Sequence, residues 1–162
     1  MHNMLKVMIV MAGMLGASFA GADDAGLSRG QTLYLPVYSH IWHGDLVVDG
    51  RYPLKNQLSA LISIRNTSFK TPIKITSARY YNTEGKLLKD YVSEARTIAP
   101  MATLEFFVEK KESAGGSGAN FIIQWESSRP SNLPVVEALH ADIKGHQTLT
   151  FVTVARPVNP EK

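Results

Sequence analysis

The chain has 162 residues, a formal charge of +3 and no cysteine. A balance of 17 basic against 14 acidic residues is too even to suggest nucleic acid or a strongly charged partner. Without cysteine there is no thiol catalysis, no thiolate metal site, no redox work and no acyl anchor on an N-terminal cysteine.

The N-terminus reads MHNMLKVMIVMAGMLGASFAGADD. Lys6 supplies a short positive region, and an apolar run follows from Val7 to Leu15. Ser18-Phe19-Ala20 or Ala20-Gly21-Ala22 then offers small residues where a signal peptidase inspects them. This is the pattern of a secretory signal peptide, residues 1–22, cut after Ala20 or Ala22. A spanning helix needs about 20 apolar residues; this run is shorter and is interrupted by Gly13 and Gly16. The mature protein is therefore expected to be periplasmic or secreted, with no transmembrane segment and no lipid anchor. Every methionine except Met101 lies in the signal segment, which excludes a methionine-rich copper carrier. About 140 residues remain, enough for one domain that folds without disulfides.

Residues 23–30 are short, polar and glycine-containing, and read as a linker. QTLYLPVY (31–38) alternates with β-favouring residues, and Pro36 points to an edge strand. In 46–54, Asp49-Gly50 between apolar residues signals a hairpin turn. QLSALISIRN (57–66) places Leu58, Ala60, Ile62 and Ile64 on one face, with Ser59, Ser63 and Arg65 on the other, the period of a half-buried strand. Residues 73–81 and 86–92 read as strands around NTEG (82–85), whose glycine takes the fourth place of a type I turn. In 102–110, Leu104, Phe106 and Val108 oppose Glu105 and Glu109. SAGGSGAN (113–120) is a glycine-rich connection, and FIIQWES (121–127) alternates Phe121, Ile123 and Trp125. Strands over 133–143 and 147–156 complete the set, and 157–162 is a tail. No segment sustains a helical period. About eight or nine short strands at regular spacing predict an all-β fold, an antiparallel sandwich over residues 31–156.

GQTLYLPVYSHIWHGD, LSALISIRNTS, PIKITSARYYNTEGKLLKDY and GGSGANFIIQW together resemble a family of small exported bacterial proteins of unknown function, domain-of-unknown-function family 3124. The resemblance covers nearly the whole mature chain. It implies a bacterial, exported protein and no particular activity. At a coarser level the run from Arg65 to Val108 is similar in pattern to adhesion-type immunoglobulin-like modules, which implies a fold rather than a function.

Two stretches invite a site. His40 and His43, with Asp45 beside them, are donors that zinc or copper prefers. Residues three apart on a strand point to opposite faces. The two imidazoles therefore share an ion only if residues 40–45 turn and a further ligand arrives, for which Asp45, His140 and His146 are the candidates and His140 completes the site expected. The plainer reading packs Trp42 and His43 at a sandwich corner, bonds His40 to backbone groups left at the strand end, and needs no cofactor. GGSGA (115–119) is not a nucleophile elbow around Ser117, because a strand pattern follows where a helix is required. It lacks the lysine and hydroxyl residue of a phosphate loop. So many small residues suggest a loop that approaches another backbone or a ligand.

Six basic residues against Glu84 alone between Arg65 and Lys89, with acids dominating from Glu105 to Glu126, give either solvated faces paired across strands or a basic patch with Tyr80 and Tyr81. Glu137 alternates with Val135 and Leu139 and is expected on a half-covered face. The expectation is a non-catalytic binding or accessory module of the bacterial envelope, for a protein or glycan partner. Its surface would join Tyr38, His40, Trp42 and His43 to Gly115, Gly116, Ser117, Gly118 and Asn120. The alternative is a periplasmic transition-metal-binding protein using His40, His43 and His140.

Overall fold

The computed structural model describes residues 26–46 and 54–159. The signal segment and the Asp49-Gly50 turn lie outside the described residues. The strands are β1 (Ser28–Pro36), β2 (His40–His43), β3 (Leu54–Gln57), β4 (Ser59–Arg65), β5 (Ile73–Tyr81) and β6 (Leu87–Asp90), then β7 (Arg96–Ile98), β8 (Thr103–Val108), β9 (Asn120–Ser131), β10 (Val135–Lys144), β11 (Gln147–Val154) and β12 (Arg156–Val158). One sheet runs β12-β1-β9-β5-β6, with β7 also on β5; a second runs β11-β10-β4-β8; β2 and β3 pair apart. Every pairing is antiparallel.

Strand alternation explains the core. The larger sheet turns Leu33, Leu35, Ile73, Ile75, Tyr80, Phe121, Ile123 and Trp125 inward, and the smaller sheet answers with Ala60, Ile62, Ile64, Leu104, Phe106, Val108, Val136 and Ala138. These residues form a single cluster between the sheets, which makes the protein the expected antiparallel β-sandwich. Tyr91 spans it, its ring 5.4 Å from Phe106 on one side and 5.2 Å from Phe121 on the other.

Four details depart from the sequence reading. The described residues form twelve strands, because β2, β7 and β12 are too short to show a period. Arg156–Val158 is not a tail: it pairs with Thr32–Tyr34 of β1. Pro36 is not on an edge strand, since β1 lies between β12 and β9. It ends the strand beyond the reach of β12, where its missing N–H costs nothing on that side, and its carbonyl accepts from Thr153 Oγ1 at 2.6 Å. The linker is shorter than expected, since β1 begins at Ser28. Its first residues carry a bulge at which a β-carbon on Gly30 would sit 2.6 Å from the Trp125 carbonyl oxygen.

The Asn82–Gly85 turn forms as predicted, with Gly85 N–H donating to the Asn82 carbonyl and a φ of 78° at Gly85. The 66–72 loop is held by Asn66. Its buried amide donates to the carbonyls of Thr71, Ile98 and Ala99, and its Oδ1 accepts from Ser68 N–H.

Candidate functional site

The structure does join the two predicted stretches. Beyond Pro36 the chain leaves the larger sheet and crosses the inner side of β10 and β11. Val37 N–H donates to the Ala119 carbonyl at 2.9 Å, and Ser39 N–H to the Gly116 carbonyl at 3.0 Å. Gly116 N–H returns a bond to Ser39 Oγ at 2.8 Å. On the other side Tyr38 N–H donates to His140 Nε2 at 3.0 Å. The His140 ring stacks on Phe151, its pairing partner on β11, with centroids 4.5 Å apart, and Tyr38 meets both rings edge-on.

This geometry changes the roles of the histidines. Backbone is satisfied by His140 rather than by His40. With Nε2 accepting from Tyr38, the neutral ring carries its proton on Nδ1. That atom is buried without a well-formed partner, and burial lowers the pKa, while backbone groups of Ala138 and Phe151 oppose the shift. His40 is also buried and lowered, by burial first and by nearby Lys55 second. Its ring lies edge-on to Trp42 at 5.0 Å.

His40 and His43 occupy the two ends of β2 rather than a turn, so they face opposite sides; the turn comes at Gly44, with a φ of 84°. His43 is exposed. Among the described residues no three His, Cys, Asp or Glu side chains are grouped so as to hold a metal ion. His140 is near the stretch, as a third ligand would have to be, but its Nε2 lone pair is committed to Tyr38 N–H.

The glycine loop is built around two side chains of β5 and the turn that follows it. A β-carbon on Gly115 would fall on Tyr80 Oη, and one on Gly116 would overlap Thr83 Oγ1. Thr83 Oγ1 donates to the Gly115 carbonyl at 3.0 Å and accepts from Gly118 N–H at 3.0 Å. Glu112 closes the base: one carboxylate oxygen accepts from Tyr80 OH at 2.8 Å, the other from the N–H groups of Ala114 and Gly115. Burial and the bond to Glu112 raise the Tyr80 phenol far above its usual range. The close approach predicted for this loop is thus to the protein's own side chains. Ser117 is half-buried, and Asn120, also half-buried, opens β9 opposite Pro36 and Tyr81. Tyr80 is buried and so takes no part in a basic surface patch. Lys74 pairs with Glu126 at 3.2 Å and Arg79 with Asp90 at 3.5 Å, each across neighbouring strands.

The sequence reading missed the outer face of the smaller sheet. On β10 the alternation is inverted: His140 and Asp142 are 0% and 4% exposed, whereas Leu139 and Ile143 on the other face are 43% and 70% exposed. Asp142 is held inside by Lys110 and Lys144, which depress its pKa in that order. On the outside, Val152, Leu139, Leu61 and Phe107 are direct cross-strand partners, so they make one apolar row over all four strands. Its ends, Val152 and Phe107, are 52% and 55% exposed. Val154 and Val135 extend the patch toward Glu137, which is half-covered as expected and paired with Arg65. The available signal was parity: Leu139 shares the face of Glu137, and His140 that of Val136 and Ala138.

A family model described as a protein of unknown function, DUF3124, matches residues 30–158. The chain belongs to that family. No curated protein matches it. A solved structure described as the crystal structure of Thermotoga maritima 1070 is similar at 14% identity and a TM-score of 0.43, over 78% of this chain and 92% of that one.

Proposed function

We propose that this DUF3124 protein is an exported, non-catalytic binding module of the bacterial envelope, and that it works through the outer face of the four-stranded sheet. One observation carries the reading: the in-register row Val152–Leu139–Leu61–Phe107, left facing solvent while His140 and Asp142 are turned inside. His140 and Asp142 are accommodated inside by Tyr38 N–H and by Lys110 and Lys144, but leaving leucine and phenylalanine in water forgoes about 25 cal/mol for each Å² of apolar surface. A face that gives up this stability is expected where a surface serves recognition. An apolar row flanked by a few charges suits a protein partner, since interface cores are apolar and aromatic with charge at the rim. The N-terminal pattern of Lys6, an apolar run and small residues supports export.

The test is a photocrosslinking amino acid placed singly at Phe107, Trp42 or Ser117 in the full chain, expressed in exporting cells. Discrete protein adducts are expected from position 107. Adducts from 42 or 117 with none from 107 would return the function to the stretch around His40 and the glycine loop, and would defeat this reading.

A further inference from the structure

We infer that the partner of this face is a second copy of the same chain, docked sheet on sheet about a two-fold axis parallel to the strands; the inference rests on the reading above. Four strands about 4.8 Å apart, exposing about eight residues at about 3.4 Å each, offer about 500 Å² per copy, so two copies hide about 1,000 Å², the lower limit for a specific contact. Face-to-face sheets pack with their strands nearly aligned, as this axis requires.

The register supplies the complementarity. Rotation about an axis along the strands lays β11 over the partner's β8 and β10 over the partner's β4. Val152 of each copy then meets Phe107 of the other, and Leu139 meets Leu61. One row further along, Glu137 falls over Ser63 and Glu105 over Val154, and two rows along Arg65 falls over Val135. No acid falls directly over an acid. The other two-fold axis in the plane, across the strands, also lays the apolar row on itself but sets Glu105 against Glu109, the exposed residue that directly follows β8. Like charges held opposite one another disfavour that arrangement. The surface is therefore self-complementary in one orientation, the requirement for an isologous contact. At this size the contact sits at the low end of specific interfaces, where transient complexes are found.

The absence of cysteine makes the geometry directly testable. Val152→Cys and Phe107→Cys chains, distinguishable by mass, are mixed at a few hundred micromolar and treated with a short bis-maleimide that spans about one inter-sheet spacing of about 10 Å. The expected product is the mixed crosslink, because Val152 lies over Phe107 of the other copy. Two Val152 positions are then about three strand spacings apart sideways as well as one sheet spacing apart, about 17 Å in all, beyond the reagent's span. Predominant like-with-like crosslinks would overturn the arrangement, and no crosslink of either kind would overturn the dimer. Sedimentation of the full wild-type chain gives a second readout: concentration-dependent dimer that Leu139→Lys abolishes with unchanged circular dichroism. A wild type monomeric at several hundred micromolar sinks the proposal. In the photocrosslinking experiment at position 107, an adduct of twice the chain mass supports the second copy. Adducts of other masses alone would remove the second copy but keep the binding face, whereas no adduct at all would remove both.

Discussion

Gly115→Ala is the sharpest test of what the glycine loop is for. A β-carbon there lands on Tyr80 Oη, 2.9 Å from Tyr80 Cζ and 3.1 Å from Ala119 Cβ. Tyr80 cannot swing away cheaply. It is buried, stacked on Phe121 with centroids 5.0 Å apart, and bonded to Glu112. Overpacking of this kind costs about 1–3 kcal/mol, and displacing a hydrogen bond to a charged group costs about 1.5–3 kcal/mol more. A loss of about 3–5 kcal/mol follows, on the order of 10–20 °C in Tm for a domain of this size. The assay is thermal unfolding by circular dichroism with Gly85→Ala as control: that glycine has open space around it and only its φ of 78° to strain, for about 1 kcal/mol. Adding Tyr80→Phe removes the overlap with Oη and leaves the close approach to Cζ, so the double variant should be destabilised by less than the sum of the two single changes. A Tm within 3 °C of wild type for Gly115→Ala, or strictly additive losses, would falsify the packing account and reopen the loop as a ligand site.

Three further outcomes are expected. Since burial depresses the His140 pKa below its ordinary 6.5, the unfolded chain binds the proton more readily; stability is full above pH 6.5 and falls as the pH drops from there to the depressed folded value, by at most about 1.4 kcal/mol per unit of depression. His140→Phe keeps the stack on Phe151 but strands the Tyr38 N–H, costing about 1–3 kcal/mol at neutral pH and shrinking that acid slope; urea midpoints at pH 7.5 and 5.5 decide it, and an unchanged slope would assign the effect to His40 instead. Zinc or copper should leave the Tm within 1 °C, because β2 is extended and His140 Nε2 is occupied; a metal-induced rise that His43→Ala removes would restore the metal-binding reading. Mass spectrometry of the exported protein should find a mature N-terminus at Gly21 or Asp23, and a membrane-bound chain retaining Met1 would contradict export by signal cleavage.

Much of the fold was legible because period-two alternation is a direct image of a sandwich with one wet side. Leu58, Ala60, Ile62 and Ile64, or Phe121, Ile123 and Trp125, could face only one way. Three short strands were illegible for the same physical reason. β7 and β12 each have three residues and β2 has four, so their pairing is set by neighbours such as Ile73–Ile75 and Thr32–Tyr34 rather than by their own pattern. The glycine loop was legible as a close approach but not in its target. That Gly115 and Gly116 yield to Tyr80 and Thr83 depends on a contact 32 residues away along the chain, between Thr83 and Gly115.

The outer face failed to show for a different reason, and the failure is informative. Alternation tells which residues share a face; choosing the buried face needs the assumption that polar residues go outside. On β10 that assumption is wrong. His140 goes inside because the crossing segment Tyr38–Ser39 brings a backbone donor that no strand satisfies, and an imidazole acceptor meets it at 3.0 Å. Asp142 can follow on the same face because Lys110 and Lys144 reach it from outside. Once those two are inside, parity sends Leu139 and Ile143 into solvent, and pairing adds Val152, Leu61 and Phe107 to them. The same crossing that ties the 38–45 stretch to the glycine loop therefore fixes which face of β10 is exposed. The stretch with the spacing of a metal motif bears on the proposed binding face indirectly, by setting the orientation of the strand behind it.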